Sequence, residues 1–104
     1  MMTVDQRLLA YAAGIIDGEG YIHAKKLLVR VVNTEVEILE PLVEAFDGTL
    51  RGPYGPYAKG RKLIYVWSVY GSTAKRVLEL VVPFMRSPAR IERARRLLGG
   101  VDCK

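Results

Sequence analysis

Two acidic residues, Asp17 and Glu19, lie in the segment 12–20, which reads Ala-Ala-Gly-Ile-Ile-Asp-Gly-Glu-Gly. Apolar residues recur at helical spacing before them and predict a helix over Gln6–Asp17. Carboxylates at a helix C-terminus face the negative end of its dipole, and each costs roughly 0.3–1 kcal/mol there. A compensating group is therefore expected, and a divalent cation would supply it. The alternative is a helix-ending turn rich in Asp and Gly, which is common in proteins.

The same helix carries small side chains among its apolar ones, at Ala10, Ala13 and Gly14. Small residues let two helix backbones approach closely, and a single domain has little use for such a contact. Gly18 predicts the end of the helix, because glycine adopts the left-handed cap conformation at little cost. A simple helix-ending turn does not account for the small residues and the two acids together.

The rest of the chain divides into elements that would position this segment. Strands are expected over Tyr21–Ala24, Leu27–Val32, Thr49–Arg51 and Leu63–Tyr70. Helices are expected from a Thr34 cap, with Glu37 completing a capping box, to about Phe46, from Ser72 or Thr73 through Val82, and from Ser87-Pro88 to Gly99-Gly100. This order predicts one α+β domain over residues 1–104, an αββαββα arrangement with a last helix. Its four-stranded antiparallel sheet would have helices on one face and the other face free.

Composition excludes several classes of protein. The single Cys103 and the single His23 are too few for a disulfide framework or for a zinc site built from three or four Cys and His ligands. The apolar run from Leu8 to Ile16 is about half as long as a membrane span, and no charged-then-apolar leader precedes it. We therefore expect a soluble, intracellular protein without a membrane partner. A chain of 104 residues has room for one domain, so an elaborate function would need a partner subunit.

Charge is divided unevenly along the chain. Residues 1–50 carry four basic and eight acidic groups, a net of −4, whereas residues 51–104 carry twelve basic and three acidic groups, a net of +9. Together they give the formal net charge of +5. A cationic half favours a polyanionic partner, most simply nucleic acid, because neutralising phosphates releases counterions. A solvated basic surface is the alternative, and net charge alone does not decide between them.

Basic and aromatic residues are concentrated on the predicted hairpins and strands, where a free sheet face has the shape to enter a nucleic-acid groove. These residues are Lys25, Lys26, Arg30, Arg51, Tyr54, Tyr57, Lys59, Arg61 and Lys62. His23, on the predicted strand face nearest Glu19, is a further candidate contact, although a lone strand histidine is more often a polar surface residue. The second helix is acidic and should face away from phosphates. A half-exposed sheet kept soluble by Lys and Arg is the alternative.

The segment Ala12–Gly20 resembles the LAGLIDADG motif of homing endonucleases, and the predicted element order is similar to that family's fold. Val32-Asn33-Thr34-Glu35, followed by Ile38-Leu39, and Val82-Pro83-Phe84-Met85-Arg86 resemble two further segments of the family. The resemblance covers nearly the whole chain. It implies an enzyme that hydrolyses one phosphodiester on each strand of a specific double-stranded DNA site, in intron or intein homing.

One copy of the motif implies, by this resemblance, a homodimer in which two motif helices pack at a two-fold axis and the DNA site is pseudo-palindromic. The interface would include Ala10, Ala13, Gly14 and Asp17. Glu19 of each subunit would then lie near its copy, and like charges repel strongly in a dry site. Mg²⁺, or another divalent cation such as Mn²⁺, is therefore the expected cofactor. The Gly18 carbonyl would be a further oxygen ligand.

The resemblance also implies roles for individual residues. Glu19 matches the acidic position that carries catalysis, and Asp17 matches an earlier acid with a more structural role. Asn33 falls near a polar residue that helps to organise active-site water, so we expect it in the catalytic set.

The chain departs from the family where relatives often have an active-site Lys, because Pro88 stands there. Arg86 or Arg90 would have to substitute, and Arg90 is taken as the candidate, although Arg is not a simple replacement for Lys. A phosphate clamp or a solvated helix residue is the alternative for both. The missing Lys keeps open a second function, a non-catalytic nucleic-acid-binding protein on the same scaffold, either an RNA-splicing maturase or a DNA-binding regulator.

Overall fold

A computed structural model describes residues 5–99 of the 104-residue chain. The helices are α1 (Gln6–Glu19), α2 (Val36–Phe46), α3 (Gly71–Val81) and α4 (Pro88–Gly99), with a 3₁₀ turn at Val82–Phe84 between the last two. The strands are β1 (Gly20–Ile22), β2 (Leu28–Asn33), β3 (Thr49–Tyr54) and β4 (Ile64–Tyr70). The predicted order, a helix followed by two strand–strand–helix units and a last helix, is confirmed.

The four strands form one antiparallel sheet in the order β1-β2-β4-β3. Because side chains alternate across a strand, the register fixes which residues share a face. Val31 pairs with Trp67, and both are fully buried against the helices. Arg30 pairs with Ser68 one step away, so these two side chains point to the opposite, uncovered face. The predicted α+β architecture, with helices on one face only, is therefore confirmed.

The hydrophobic core lies between the sheet and the helices. Its largest side chain, Trp67, is fully buried beside Phe46 and donates its indole N–H to the Asp47 carbonyl at 2.8 Å. Gly48, with φ of 93°, lies so close to this ring that an added Cβ would come within 2.9 Å of the indole nitrogen. The turn after α2 therefore requires glycine, and it leads into β3, where Leu50 pairs with Trp67.

The end of α1 differs from the prediction. The helix continues through Gly18 to Glu19, and its cap residue Gly20 has extended backbone, with φ of −79° and ψ of 150°. The expectation that Gly18 stops the helix in a left-handed conformation was wrong. Glycine is needed at position 20 for space, because an added Cβ would lie 2.7 Å from the Ile16 carbonyl oxygen. The chain passes directly from helix to strand at this point, so Glu19 is the junction residue.

Two predicted side-chain caps are not formed. Helix α2 begins at Val36, one residue later than the Thr34 capping box implies, with Glu35 in the cap position and no side-chain cap there. Helix α3 begins at Gly71, before Ser72 and Thr73. Ser87 does cap α4, where its hydroxyl oxygen accepts from the Arg90 N–H at 3.4 Å.

Strand lengths also differ, since β1 stops at Ile22 and β3 continues to Tyr54. The end of α4 at Gly99 agrees with the prediction, while Gly100 lies outside the described residues. Within residues 5–99, none of the helices combines the length and the apolar character that crossing a membrane requires.

Candidate active site and nucleic-acid interface

Glu19 and Asn33 are brought together although they are 14 positions apart in sequence. Glu19 is the exposed last residue of α1, and Asn33 is the last residue of β2. The Asn33 side-chain N–H donates to Glu19 Oε1 at 2.6 Å, and its carbonyl oxygen Oδ1 accepts from the Glu35 backbone N–H at 2.9 Å. Asn33 thus ties the Glu19 carboxylate to the start of α2. Within the described residues, the second Glu19 oxygen accepts no hydrogen bond.

The Asp17 carboxylate faces α4 of its own chain. Asp17 Oδ2 accepts from the Arg86 backbone N–H at 2.7 Å, and Oδ1 accepts from the Ser87 N–H at 3.0 Å. These donors compensate for its position at the end of α1, so Asp17 itself needs no cation. Both oxygens are therefore used within the chain, and the place of Asp17 in a dimer interface stays a prediction.

Tyr11 is a neighbour of Glu19 that the sequence analysis missed. Its hydroxyl donates to the Ile38 carbonyl at 2.8 Å and so ties α1 to α2. Burial, and then the negative charge of Glu19, raise the pKa of the Tyr11 phenol. In the sequence, Tyr11 is marked only by being an aromatic residue among the small residues of α1, about two helical turns before Glu19.

One face of α1 is exposed and made of small residues. Ala10, Gly14 and Gly18 recur every fourth position along it, and all three are exposed. An added Cβ at Gly14 or Gly18 would meet no atom within 4 Å, so packing inside this chain does not require glycine at either position. Ala13, in contrast, is fully buried in the core and has no surface to offer a partner. Its assignment to a dimer interface was wrong, and Gly18 stands on the exposed face instead.

The residues around Glu19 are suited to half of a cation site. Its carboxylate and the Gly18 carbonyl are the hard oxygen ligands that Mg²⁺ prefers. Within residues 5–99, however, no group of three or more His, Cys, Asp and Glu side chains is close enough to hold a metal ion. A single chain therefore supplies one carboxylate, and a second copy would have to supply another.

His23 closes the turn between β1 and β2. Its Nδ1 accepts from the backbone N–H groups of Lys25 and Lys26 at 3.0 and 3.1 Å, and its ring meets the edge of Tyr21, with centroids 6.1 Å apart. The two lysine side chains are exposed. The structure thus gives His23 a turn-stabilising role and places the expected cations of this hairpin at its tip.

The uncovered face of the sheet forms a shallow depression of about 380 Å³ that contains Arg30, Arg51, Ser68 and Tyr70. Arg30 also lies over the Tyr21 ring, 5.9 Å from its centroid. The remaining predicted contacts extend from one end of this face in the β3–β4 hairpin and are all exposed, namely Tyr54, Tyr57, Lys59, Arg61 and Lys62. Arg30, Arg51 and Tyr54 therefore share the uncovered face, and the other predicted cations are exposed in the two hairpin loops.

Two arginines of α4 bind the outer edge of β1. Arg90 Nε donates to the Gly20 carbonyl at 2.9 Å, and Arg93 Nη1 donates to the Ile22 carbonyl at 3.1 Å. Sequence reasoning treated Arg90 as a cation for phosphate and did not foresee either contact. The Arg86 side chain is exposed and makes no hydrogen bond within the described residues.

The antiparallel sheet with its helices on one face is the fold of homing endonucleases of known structure. Two solved structures of the homing endonuclease I-CvuI share it, each with a TM-score of 0.70 over 93% of this chain and 67% of theirs. One is a complex with the target of I-CvuI in the presence of Ca, at 19% identity. The other is a complex with an I-CreI target in the presence of Mg, with the DNA not cleaved, at 21% identity. No family model and no curated protein matches this chain.

Proposed function

We propose that this chain is one half of a homodimeric, site-specific DNA endonuclease of the LAGLIDADG type, which cleaves both strands of a pseudo-palindromic site in intron or intein homing. The observation that carries the proposal is the position of Glu19. It ends a helix whose exposed face is small, its carboxylate is held by Asn33, and one of its oxygens is free within the described residues. The DNA complexes of the structural neighbours support DNA as the partner.

The dimer would form along the exposed face of α1. Ala10, Gly14 and Gly18 let a second copy of this helix approach closely, and the chain's own packing gives no reason for the two glycines. Contact there would bring the Glu19 residues of the two copies toward each other. Two carboxylates in a shared site cannot both stay ionised without a counter-ion, so the dimer and the cation support each other.

Mg²⁺, or Mn²⁺ in its place, would be held by Glu19 and the Gly18 carbonyl. A bound divalent cation would activate water for attack on the phosphodiester and stabilise the leaving oxygen. Asn33 orients the Glu19 carboxylate through its 2.6 Å hydrogen bond and holds it in place between turnovers. Arg86, exposed beside the Asp17 contact, is the available cation for the scissile phosphate.

The uncovered sheet face would bind the DNA. Arg30 and Arg51 on the strands, with Lys25 and Lys26 at the first turn, would contact phosphates or base edges in the major groove. The exposed second hairpin would extend this contact along the duplex.

A non-catalytic nucleic-acid-binding protein is the second candidate. The observation that favours it is the absence of a Lys at the Pro88 position together with the use of Arg90 Nε by the Gly20 carbonyl. On this alternative the same face binds DNA or RNA, and Glu19 performs no chemistry.

Cleavage of a randomised DNA library with Mg²⁺ tests the two candidates. Wild type should enrich sequences that are cut on both strands, whereas Glu19→Gln should bind the same sequences without cutting. Glu44→Gln is the matched control, because Glu44 is an exposed acid on α2 and its loss should leave cutting unchanged. Tight binding by wild type without any cutting would favour the second candidate.

The dimer is tested by sedimentation at the concentration used for cleavage. We expect twice the 11.6 kDa mass of one chain. Gly14→Leu should lower the dimer fraction without unfolding the chain, because its Cβ meets no atom of the same chain. A free protein with the mass of one chain, together with a DNA complex that contains one chain per duplex, would contradict the homodimer.

A further inference from the structure

Helix α4 and the two residues before it contact the chain on both sides of Glu19. Before Glu19, the Asp17 carboxylate accepts from the Arg86 and Ser87 N–H groups that precede α4, at 2.7 and 3.0 Å. After it, the Gly20 carbonyl accepts from Arg90 Nε at 2.9 Å. The four residues from Asp17 to Gly20 are therefore attached at one end to the segment that leads into α4 and at the other end to α4 itself.

The contact at Gly20 matters because β1 is a weak element by itself. It is three residues long, and within the described part of the chain it pairs only with β2, so no described strand lies beside its outer edge. An unpaired edge leaves backbone carbonyls to water or to another chain. Arg90 occupies the first of these carbonyls, directly beyond Glu19, and Arg93 occupies the next outward one at Ile22.

We propose that Arg90 is a positioning residue, which fixes the Glu19 backbone through the Gly20 carbonyl instead of contacting the scissile phosphate. The inference rests on the proposed endonuclease function. Its physical basis is that a reacting group must be held within a fraction of an ångström, since a displacement of about 1 Å can cost roughly 100-fold in rate. On this proposal, Arg90 acts through the Nε–H donor that it places at the Gly20 carbonyl, and its positive charge matters less than the position of that donor.

Two substitutions separate the donor from the charge. Gln carries its side-chain nitrogen the same number of bonds from Cα as Arg carries Nε, so Arg90→Gln keeps the donor and removes the charge. Lys keeps the charge but places its nitrogen one bond farther out, so Arg90→Lys misplaces the donor. Arg90→Met removes both. If Arg90 instead neutralised a phosphate, Lys would rescue the function and Gln would not.

The experiment measures single-turnover cleavage at saturating DNA and backbone amide exchange of residues 19–22 for the four proteins. We expect Arg90→Gln to cut within about threefold of wild type, and Arg90→Lys and Arg90→Met to be slower by about tenfold or more, as for lost supporting contacts at other sites. Among these four proteins, exchange at residues 19–21 should rise in Arg90→Lys and Arg90→Met only. Arg93→Met is the control on the same helix, and its exchange should rise near Ile22 with cleavage within about threefold of wild type.

Fast cleavage by Arg90→Lys together with slow cleavage by Arg90→Gln would overturn the proposal and assign Arg90 to the phosphate. Equal rates for all variants would overturn it as well. If wild type cuts no DNA, the endonuclease function fails, and exchange alone then decides the positioning role. In that case, protection at residues 19–21 that is unchanged in Arg90→Met would overturn it.

Discussion

The two strand–strand–helix units of this molecule have the same topology but differ at their outer strands. The outer strand of the first unit, β1, starts at the buried Gly20 directly after Glu19, and α4 arginines bind the outward carbonyls of Gly20 and Ile22. The outer strand of the second unit, β3, is exposed from Arg51 to Tyr54 and continues into an exposed loop. The described part of the chain places no helix on that edge, since the contacts of β3 are with β4 and α2.

The two edges are protected by different means. In the first unit, charged donors on a helix occupy the backbone acceptors. In the second, Pro53 removes a donor, and the pairing with β4 shifts register between Arg51 and Tyr54, an irregularity that discourages a further strand. The two units therefore share one topology with different edges. The first has its edge bound by a helix beside Glu19, and the second leaves its edge open beside the exposed cations and tyrosines.

The largest expected effect is on stability and compares the two outer strands directly. Ile22 on β1 is 1% exposed, whereas Leu50 on β3 is half-buried against the same core. Ile22→Ala should lower the free energy of unfolding by about 3 kcal/mol, and Leu50→Ala by about 1 kcal/mol, because only the first leaves an enclosed cavity. Urea unfolding measures both. Equal losses would mean that the second edge is packed as firmly as the first.

A smaller effect is expected when the link between α1 and α4 is cut. Asp17→Ala leaves the Arg86 and Ser87 N–H groups without their acceptor and should destabilise the protein by about 1–2 kcal/mol. Asp17→Asn keeps one acceptor and should lose less. Thermal unfolding gives the comparison. A variant as stable as wild type would show that this link between α1 and the segment before α4 contributes nothing to stability.

A several-fold effect on DNA affinity is expected from the open unit. If the proposed function is right, Arg51→Gln removes a phosphate or base contact on the uncovered face and should weaken DNA binding. If the lost contact is to a phosphate, the slope of log K against log salt concentration should fall in magnitude by about 0.9. Lys75→Gln is the control, because Lys75 is an exposed cation on α3, on the helical side. Fluorescence anisotropy over a salt series measures both. A larger loss of DNA affinity for Lys75→Gln than for Arg51→Gln would contradict the proposal, because it would place the DNA on the helical side of the sheet.

The fold followed from the sequence because hydrophobic spacing and turn residues agree along most of the chain. The alternation of Val29, Arg30 and Val31 identifies which residues of β2 are buried, and Asp47-Gly48 marks the end of α2. Predictions at helix ends were weaker. Gly18 has no reason in its own chain to be glycine, and the helix continues through it. A glycine in a sequence marks either a turn or a close approach, and only the structure separates the two.

Only part of the candidate site could be predicted from the sequence, because several of its contacts depend on the folded structure. The acids and Asn33 stand in local motifs, so their types and spacing were visible. The contacts from Asp17 to Ser87 and from Arg90 to Gly20 join residues 70 positions apart and use backbone groups, which have no signature in side-chain patterns. Ala13 was misassigned because a small residue fits a helix–helix contact and a tight core equally well.

The smallest predicted effect is on the Tyr11 phenol, and it tests whether the first unit holds Glu19 in solution. Burial is the main cause of the raised Tyr11 pKa and the Glu19 charge is the second, so Glu19→Gln should lower this pKa while leaving it above the ordinary value. Because the folded-state pKa is raised, the stabilising contribution of Tyr11 is complete below the ordinary tyrosine pKa of about 10 and is lost as pH rises through the folded value. An NMR titration of labelled tyrosine measures the shift. If Glu19→Gln leaves the Tyr11 pKa unchanged, the carboxylate is not held near Tyr11. The contrast between a first unit that fixes Glu19 and an open second unit then fails where the chemistry would occur.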